Sequence, residues 1–145
     1  MTKLLYALPL TALLLLGCTS APEKPAAGAA LPPCGPFPNC VNSENGTGGS
    51  AIDPIPASPE EWQALKNWLG SQENWTITSD EGDFVQAVAK TPRMRFRDDV
   101  QMRFDEGTGI IQVRSSSRLG IGDMGANRAR VESLRMRVTG GASAQ

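Results

Sequence analysis

The stretch Val100-Gln101-Met102-Arg103-Phe104-Asp105, followed by Glu106-Gly107-Thr108-Gly109 and then Ile110-Ile111-Gln112-Val113-Arg114, leaves few ways to fold. Val100, Met102 and Phe104 alternate with Gln101, Arg103 and Asp105. A period of two puts the apolar set on one face of a strand and the polar set on the other. The turn signals between Asp105 and Gly109 bring the chain back beside itself, antiparallel. Two further strand-like runs, "WTIT" from Trp75 and "FVQAVAKT" from Phe84, flank the turn Asp80-Glu81-Gly82. An antiparallel sheet of about four strands is expected.

Two helices are expected beside it. Ser58-Pro59-Glu60-Glu61 supplies an N-cap, a proline at the first helical position and the acid of a capping box. Trp62, Leu65, Trp68 and Leu69 then recur at helical spacing and read as core, with Gly70 as the stop. From about Asn127 to Val138, Val131, Leu134 and Val138 form one stripe, and Arg128 and Glu132 sit four residues apart on another. Two helices on one face of a small sheet make an α+β domain, expected over residues 58–138, with 139–145 as a disordered tail.

The first residues point to an address. Met1-Thr2-Lys3 precedes "LLYALPLTALLLL", an apolar run of 13 residues, too short for a spanning helix of about 20 and shaped like a signal peptide over residues 1–17. Leu15-Leu16-Gly17-Cys18 matches the bacterial lipobox, so Cys18 is the expected lipidation site and a membrane the expected first partner. Thr19 stands where an aspartate would favour inner-membrane retention. The expected location is the cell envelope, on the periplasmic face of the outer membrane.

Residues 18–57 are rich in Pro, Ala, Gly, Ser and Asn, a composition expected to form a tether. Cys34 and Cys40, in "PPCGPFPNCVNS", are expected to close a disulfide loop that docks on the domain, in a compartment where disulfides persist. Zinc needs two further ligands, and the chain has no histidine and only one other cysteine, Cys18, the expected lipidation site. Neither metal nor cofactor is expected.

Charge is uneven along the chain. From Cys18 to Pro92 three basic residues face nine acids, a net of −6; from Arg93 onward ten arginines face six acids, a net of +4. Attraction between the halves on folding is the plain expectation. A total of −1 and an envelope address argue against nucleic acid as a partner.

"RSSSRLGIGDMGANRARVE", residues 114 to 132, is the stretch that invites chemistry. Gly120-Ile121-Gly122-Asp123-Met124-Gly125 spells G-x-G-x-x-G, but a dinucleotide fold needs a parallel strand after the helix, and the chain ends 20 residues later. The glycines are expected to turn the backbone from sheet to helix. Ser115, Ser116 and Ser117 lack a histidine, leaving Lys66 or Lys90 as the base of a less favoured hydrolase. Asp98 and Asp99 are adjacent and point to opposite faces of a strand, so they form no acid/base pair.

Two expectations stay open for this corner. Arg114, Arg118, Arg128 and Arg130, with Ser115, Ser117 and Asn127 around a helix N-terminus, form a natural anion site. Alternatively Asp98, Asp99, Asp123 and Glu132 satisfy the arginines internally, as a network fixing the corner.

"PNCVNS" at 38–43, "RFRDDV" at 95–100 and "IQVRSSSRLGIGDMGANRARVE" at 111–132 resemble the bacterial domain-of-unknown-function 1499 family, which also occurs in plastids. The similarity runs over about residues 34–138. The last motif is the specific one, matching at Arg114, Ser115, Ser117, Arg118, Gly120, Asp123, Gly125, Asn127, Arg128, Arg130 and Glu132. Met124 stands where the family often has an aromatic, and Thr91 where it often has a serine. The resemblance implies a small α+β domain in a membrane-associated setting and implies no activity. The expected role is non-enzymatic binding or assembly, with an envelope protein or an anionic lipid or glycan as possible ligand.

Overall fold

The computed structural model describes residues 20–141; the leader and Cys18 lie outside the described residues. In chain order the elements are β1 (Cys40–Asn42), a 3-10 turn (Gly48–Ser50), β2 (Ile55–Pro56), α1 (Pro59–Ser71), β3 (Trp75–Asp80), β4 (Phe84–Lys90), β5 (Arg97–Asp105), β6 (Ile110–Ser117) and α2 (Ala126–Gly141). The strands form one antiparallel sheet in the order β1-β6-β5-β4-β3, with β2 also paired to β6. With two helices this is the expected α+β fold.

The alternation in β5 sets the layers. Met102 lies between Val85 and Val113, and Phe104 lies opposite Ile111, so the apolar positions of β4, β5 and β6 stack in register. Against this face pack Trp62, Leu65 and Leu69 of α1 and Val131, Leu134 and Val138 of α2, all at least nine-tenths buried. Each such aliphatic side chain contributes about 1.5–3 kcal/mol relative to exposure. Trp62 stacks on Phe104 at 5.9 Å between centroids, and its indole N–H donates to the Gly82 carbonyl at 2.8 Å. The capping box of α1 forms as expected: the Glu61 amide donates to Ser58 Oγ at 3.2 Å, and the Ser58 amide to Glu61 Oε2 at 2.7 Å.

The sheet has six strands, not four, and the two additional ones come from the stretch expected to be tether. Composition averaged over residues 18–57 conceals a few apolar side chains that fall at the right places. Leu31, Val41, Ile52 and Ile55 are all buried, and β1 and β2 extend the sheet beyond β6. With three and two residues, these strands are too short to display alternation. The ordered domain therefore starts near residue 31, not 58. The expected disulfide joins Cys34 to Cys40 and closes the loop leading into β1.

The second face of the sheet is covered by the chain's own beginning. Asn42, Arg114, Gln101 and Gln86 occupy paired positions across β1, β6, β5 and β4 and are all buried. The Gln86 side-chain amide donates to the Pro22 carbonyl at 3.5 Å, that of Gln101 to Glu23 at 3.1 Å, and that of Asn42 to Pro32 at 2.9 Å. This polar row, expected from the strand alternation on the face opposite the apolar set, carries a strap formed by residues 20–32.

At the other terminus α2 continues through 139–141, where a tail was expected; residues 142–145 lie outside the described residues. Among the described residues no helix is long and apolar enough to cross a membrane.

The expected attraction between the two halves is mostly absent. Of six ion pairs among the described residues, only Arg103–Glu44 joins a second-half arginine to a first-half acid. Backbone carbonyls take that role instead. Arg128 donates to Gly49 and Ala51 at 3.0 and 2.7 Å, and Arg135 to Pro54 and Asp53 at 2.6 and 2.7 Å. Five donors on a planar fork let one arginine hold two carbonyls, clamping the segment before β2 onto α2. Glu132 consequently pairs with Arg135 rather than with Arg128.

Candidate functional site

The corner where β6 passes into α2 collects nearly all the residues singled out in the sequence. Its layout starts from the strand period: Asp98 and Asp99, adjacent on β5, point to opposite faces, and each meets its own arginine. On the helix face Asp98 pairs with Arg130 of α2; on the other, Asp99 takes a bidentate pair from Arg118 at 2.7 and 2.8 Å. Both carboxylates are nearly inaccessible, with side-chain exposures of 3% and 2%.

Between the two layers sits Asn127, fully buried. Its amide nitrogen lies within donating distance of the Asn39 carbonyl at 2.9 Å, Ser117 Oγ at 2.9 Å and Asp123 Oδ2 at 2.7 Å. Its oxygen accepts from Ser115 Oγ at 2.7 Å and from Arg130 at 2.7 Å. One side chain thus joins the disulfide loop, β6 and α2. The sequence grouped Asn127 with the arginines around the helix N-terminus, without its role in tying three segments together.

The helix N-terminus, a natural anion site, is occupied by the protein's own carboxylate. Asp123 accepts from the Gly125 and Asn127 amides, both at 2.9 Å. Burial pushes the Asp123 carboxyl up, but these amides and the Asn127 side chain outweigh it and hold the group below its ordinary range. A depressed folded value means that the cap stabilises the fold above the unfolded carboxylate value of about 3.9 and loses that contribution as pH falls further. The glycines before it turn the chain as expected, with φ of +91° at Gly120 and +83° at Gly125.

Arg114 is buried on the strap side, where NH1 donates to Ser116 Oγ at 2.8 Å and reaches Gln101 at 3.5 Å, while Nε has no partner. Burial lowers its pKa and the neighbouring Asp99 charge opposes this. Arg128 is exposed, with no carboxylate partner, and is held by the two carbonyls named above. It borders an open groove of about 660 Å³ between the disulfide loop and the glycine turn, whose walls include Phe37, Pro38, Ser50 and Met124.

This arrangement has little to offer catalysis. Ser115 is fully buried, donating to Asn127 and accepting from Arg130 at 3.0 Å. Lys66, on α1, reaches the β3–β4 turn, where its ammonium donates to Asp80 at 3.0 Å and to the Gly82 carbonyl at 3.3 Å. Neither Lys66 nor Lys90 hydrogen-bonds a serine of the 115–117 run, so the nucleophile–base contact of a serine/lysine hydrolase is missing. Anion capture fares no better at Arg118 and Arg130, which already hold carboxylates.

Sequence reasoning grouped Asp98, Asp99, Arg114, Ser115, Ser117, Arg118, Asp123, Asn127, Arg128 and Arg130; the structure places all of them at this corner, with Arg128 turned away to the Gly49 and Ala51 carbonyls. It missed Asn39, Asn42, Gln86 and Gln101. The last two show as polar residues inside strand patterns, a signal of solvent unless the covering strap is known.

No curated protein and no solved structure matches the chain. A family model described as "Protein of unknown function (DUF1499)" matches residues 30–138, which begins where the ordered domain begins and ends within α2. That span covers well over half of the sequence and includes every residue of the corner network, so the chain belongs to the DUF1499 family.

Proposed function

We propose that this protein is a lipid-anchored component of the bacterial cell envelope that acts by binding or assembly and performs no chemistry at the β6–α2 corner. The observation that carries the proposal is the state of the corner: its carboxylates, serines and the arginines 118 and 130 are all engaged with one another. Such a network specifies a fold, and among the arginines of the corner only Arg128, held by two backbone carbonyls, is exposed. The anchor rests on the sequence Leu15-Leu16-Gly17-Cys18 after an apolar leader. A closed Cys34–Cys40 disulfide suits an oxidising compartment. On this reading the lipid on Cys18 enters the periplasmic face of the outer membrane, supported by Thr19 in place of a retention aspartate.

Intact-mass measurement of the protein purified from the membranes of a Gram-negative host tests the anchor. The expected result is a chain beginning at Cys18 with diacylglycerol on its sulfur, and a Cys18→Ser variant that keeps its leader. An unmodified cysteine, or cleavage at another position, overturns it.

A further inference from the structure

Seven large apolar side chains are exposed among the described residues, and six of them lie in three loops: Phe37, Met94, Phe96, Leu119, Ile121 and Met124. The three loops share one end of the molecule. The Arg118 amide donates to the Arg97 carbonyl at 3.3 Å, the Asn39 side chain to Gly120 at 2.9 Å, and the Asp123 amide to Pro38 at 3.4 Å. Concentrated apolar exposure of this kind marks a surface that meets something.

Charge identifies the occupant. Met94 and Phe96 alternate with Arg93, Arg95 and Arg97, all exposed and none in an ion pair. The acids nearest in sequence are spent, Asp98 and Asp99 on buried arginines and Asp123 on the cap of α2. The end is therefore both apolar and cationic, the combination that sits at the boundary between headgroups and acyl chains of an anionic bilayer. The fold also holds these side chains outward against backbone preference. Arg95 at φ +52° and Met124 at φ +50° are the two non-glycine residues with positive φ among those described, and Met124 is fully exposed.

We propose that this end is a membrane-docking tip. Its apolar side chains enter the interface, and Arg93, Arg95 and Arg97 pair with the phosphates of anionic phospholipids. The inference names the partner of the domain and rests on the function proposed above for bringing the domain to a bilayer.

Hydrogen exchange of the full-length protein in vesicles tests the tip, comparing phosphatidylcholine alone with an equal mixture of phosphatidylcholine and phosphatidylglycerol. Amides of 93–97 and 119–124 are expected to slow in the anionic vesicles only. The slowing should approach 100-fold, from roughly fivefold per arginine near an anionic surface. The triple variant Arg93→Glu/Arg95→Glu/Arg97→Glu should lose it, and Ile121→Ser/Met124→Ser should weaken it with the folded core still protected. Equal protection in both vesicles, protection in neither, or protection appearing only when another envelope protein is added overturns the proposal. Intact mass on the same samples scores the anchor separately: an unmodified Cys18 with the loops still protected sinks the anchor and leaves the tip standing.

Discussion

Asp98→Ala is expected to lower the unfolding free energy by about 3–5 kcal/mol, because it leaves the Arg130 guanidinium buried without its counter-charge. The Arg130 side chain is 12% exposed and cannot recover its hydration without moving α2 away from β5. Arg130→Ala should cost a similar amount by leaving Asp98 unpaired. The double variant Asp98→Ala/Arg130→Met should recover much of the loss, since removing both charges leaves none to desolvate. Denaturant unfolding of the three variants gives the coupling directly. If either single variant stays within about 0.5 kcal/mol of wild type, as an ordinary surface change would, the pair is not structural.

The second large effect is expected at Asn127. Asn127→Leu keeps the branching and number of side-chain heavy atoms but removes every hydrogen bond of the side chain, leaving the Ser115 hydroxyl without its acceptor and the Ser117 hydroxyl without its donor. At about 1–3 kcal/mol for each polar group left unsatisfied, the loss should be at least about 2 kcal/mol. Because Asn127 is the link between the disulfide loop and α2, its loss should also speed hydrogen exchange in residues 34–43. Normal exchange there, with an unchanged unfolding midpoint, would show that the loop is held by the disulfide and β1 alone.

What could be read from the sequence follows from how local each signal is. The β5–β6 hairpin was legible because alternation and a glycine turn are written into consecutive residues, and α1 because a capping box spans four. Asp98 and Asp99 on opposite faces follow from the strand period alone. Strands β1 and β2 were not legible, since pairing with β6 over so few residues depends on the partner strand rather than on any pattern of their own. The polar row from Asn42 to Gln86 was legible in part as one face of the alternation, but its cover was not, for a related reason: the strap over it is far away in sequence, and its carbonyls have no side-chain signature. Asn127 was legible as a member of the arginine corner, and only the convergence of three segments makes it a hub. The arginine excess of the second half was legible as a count, yet its use on backbone carbonyls was not, because carbonyls are everywhere in the sequence.

The central claim is that the network of Asp98, Asp99, Asp123, Arg118 and Arg130 at the β6–α2 corner is scaffold, its carboxylates filling the anion-binding capacity of these two arginines and of the helix N-terminus. Thermal unfolding of the wild-type protein and of Arg118→Ala across a titration of inorganic phosphate tests this most directly. The account predicts no rise in Tm that depends on Arg118, and a lower Tm for the variant at every phosphate concentration. A concentration-dependent stabilisation of wild type, worth roughly 2.7 kcal/mol at a hundred times the dissociation constant and absent from Arg118→Ala, would contradict it.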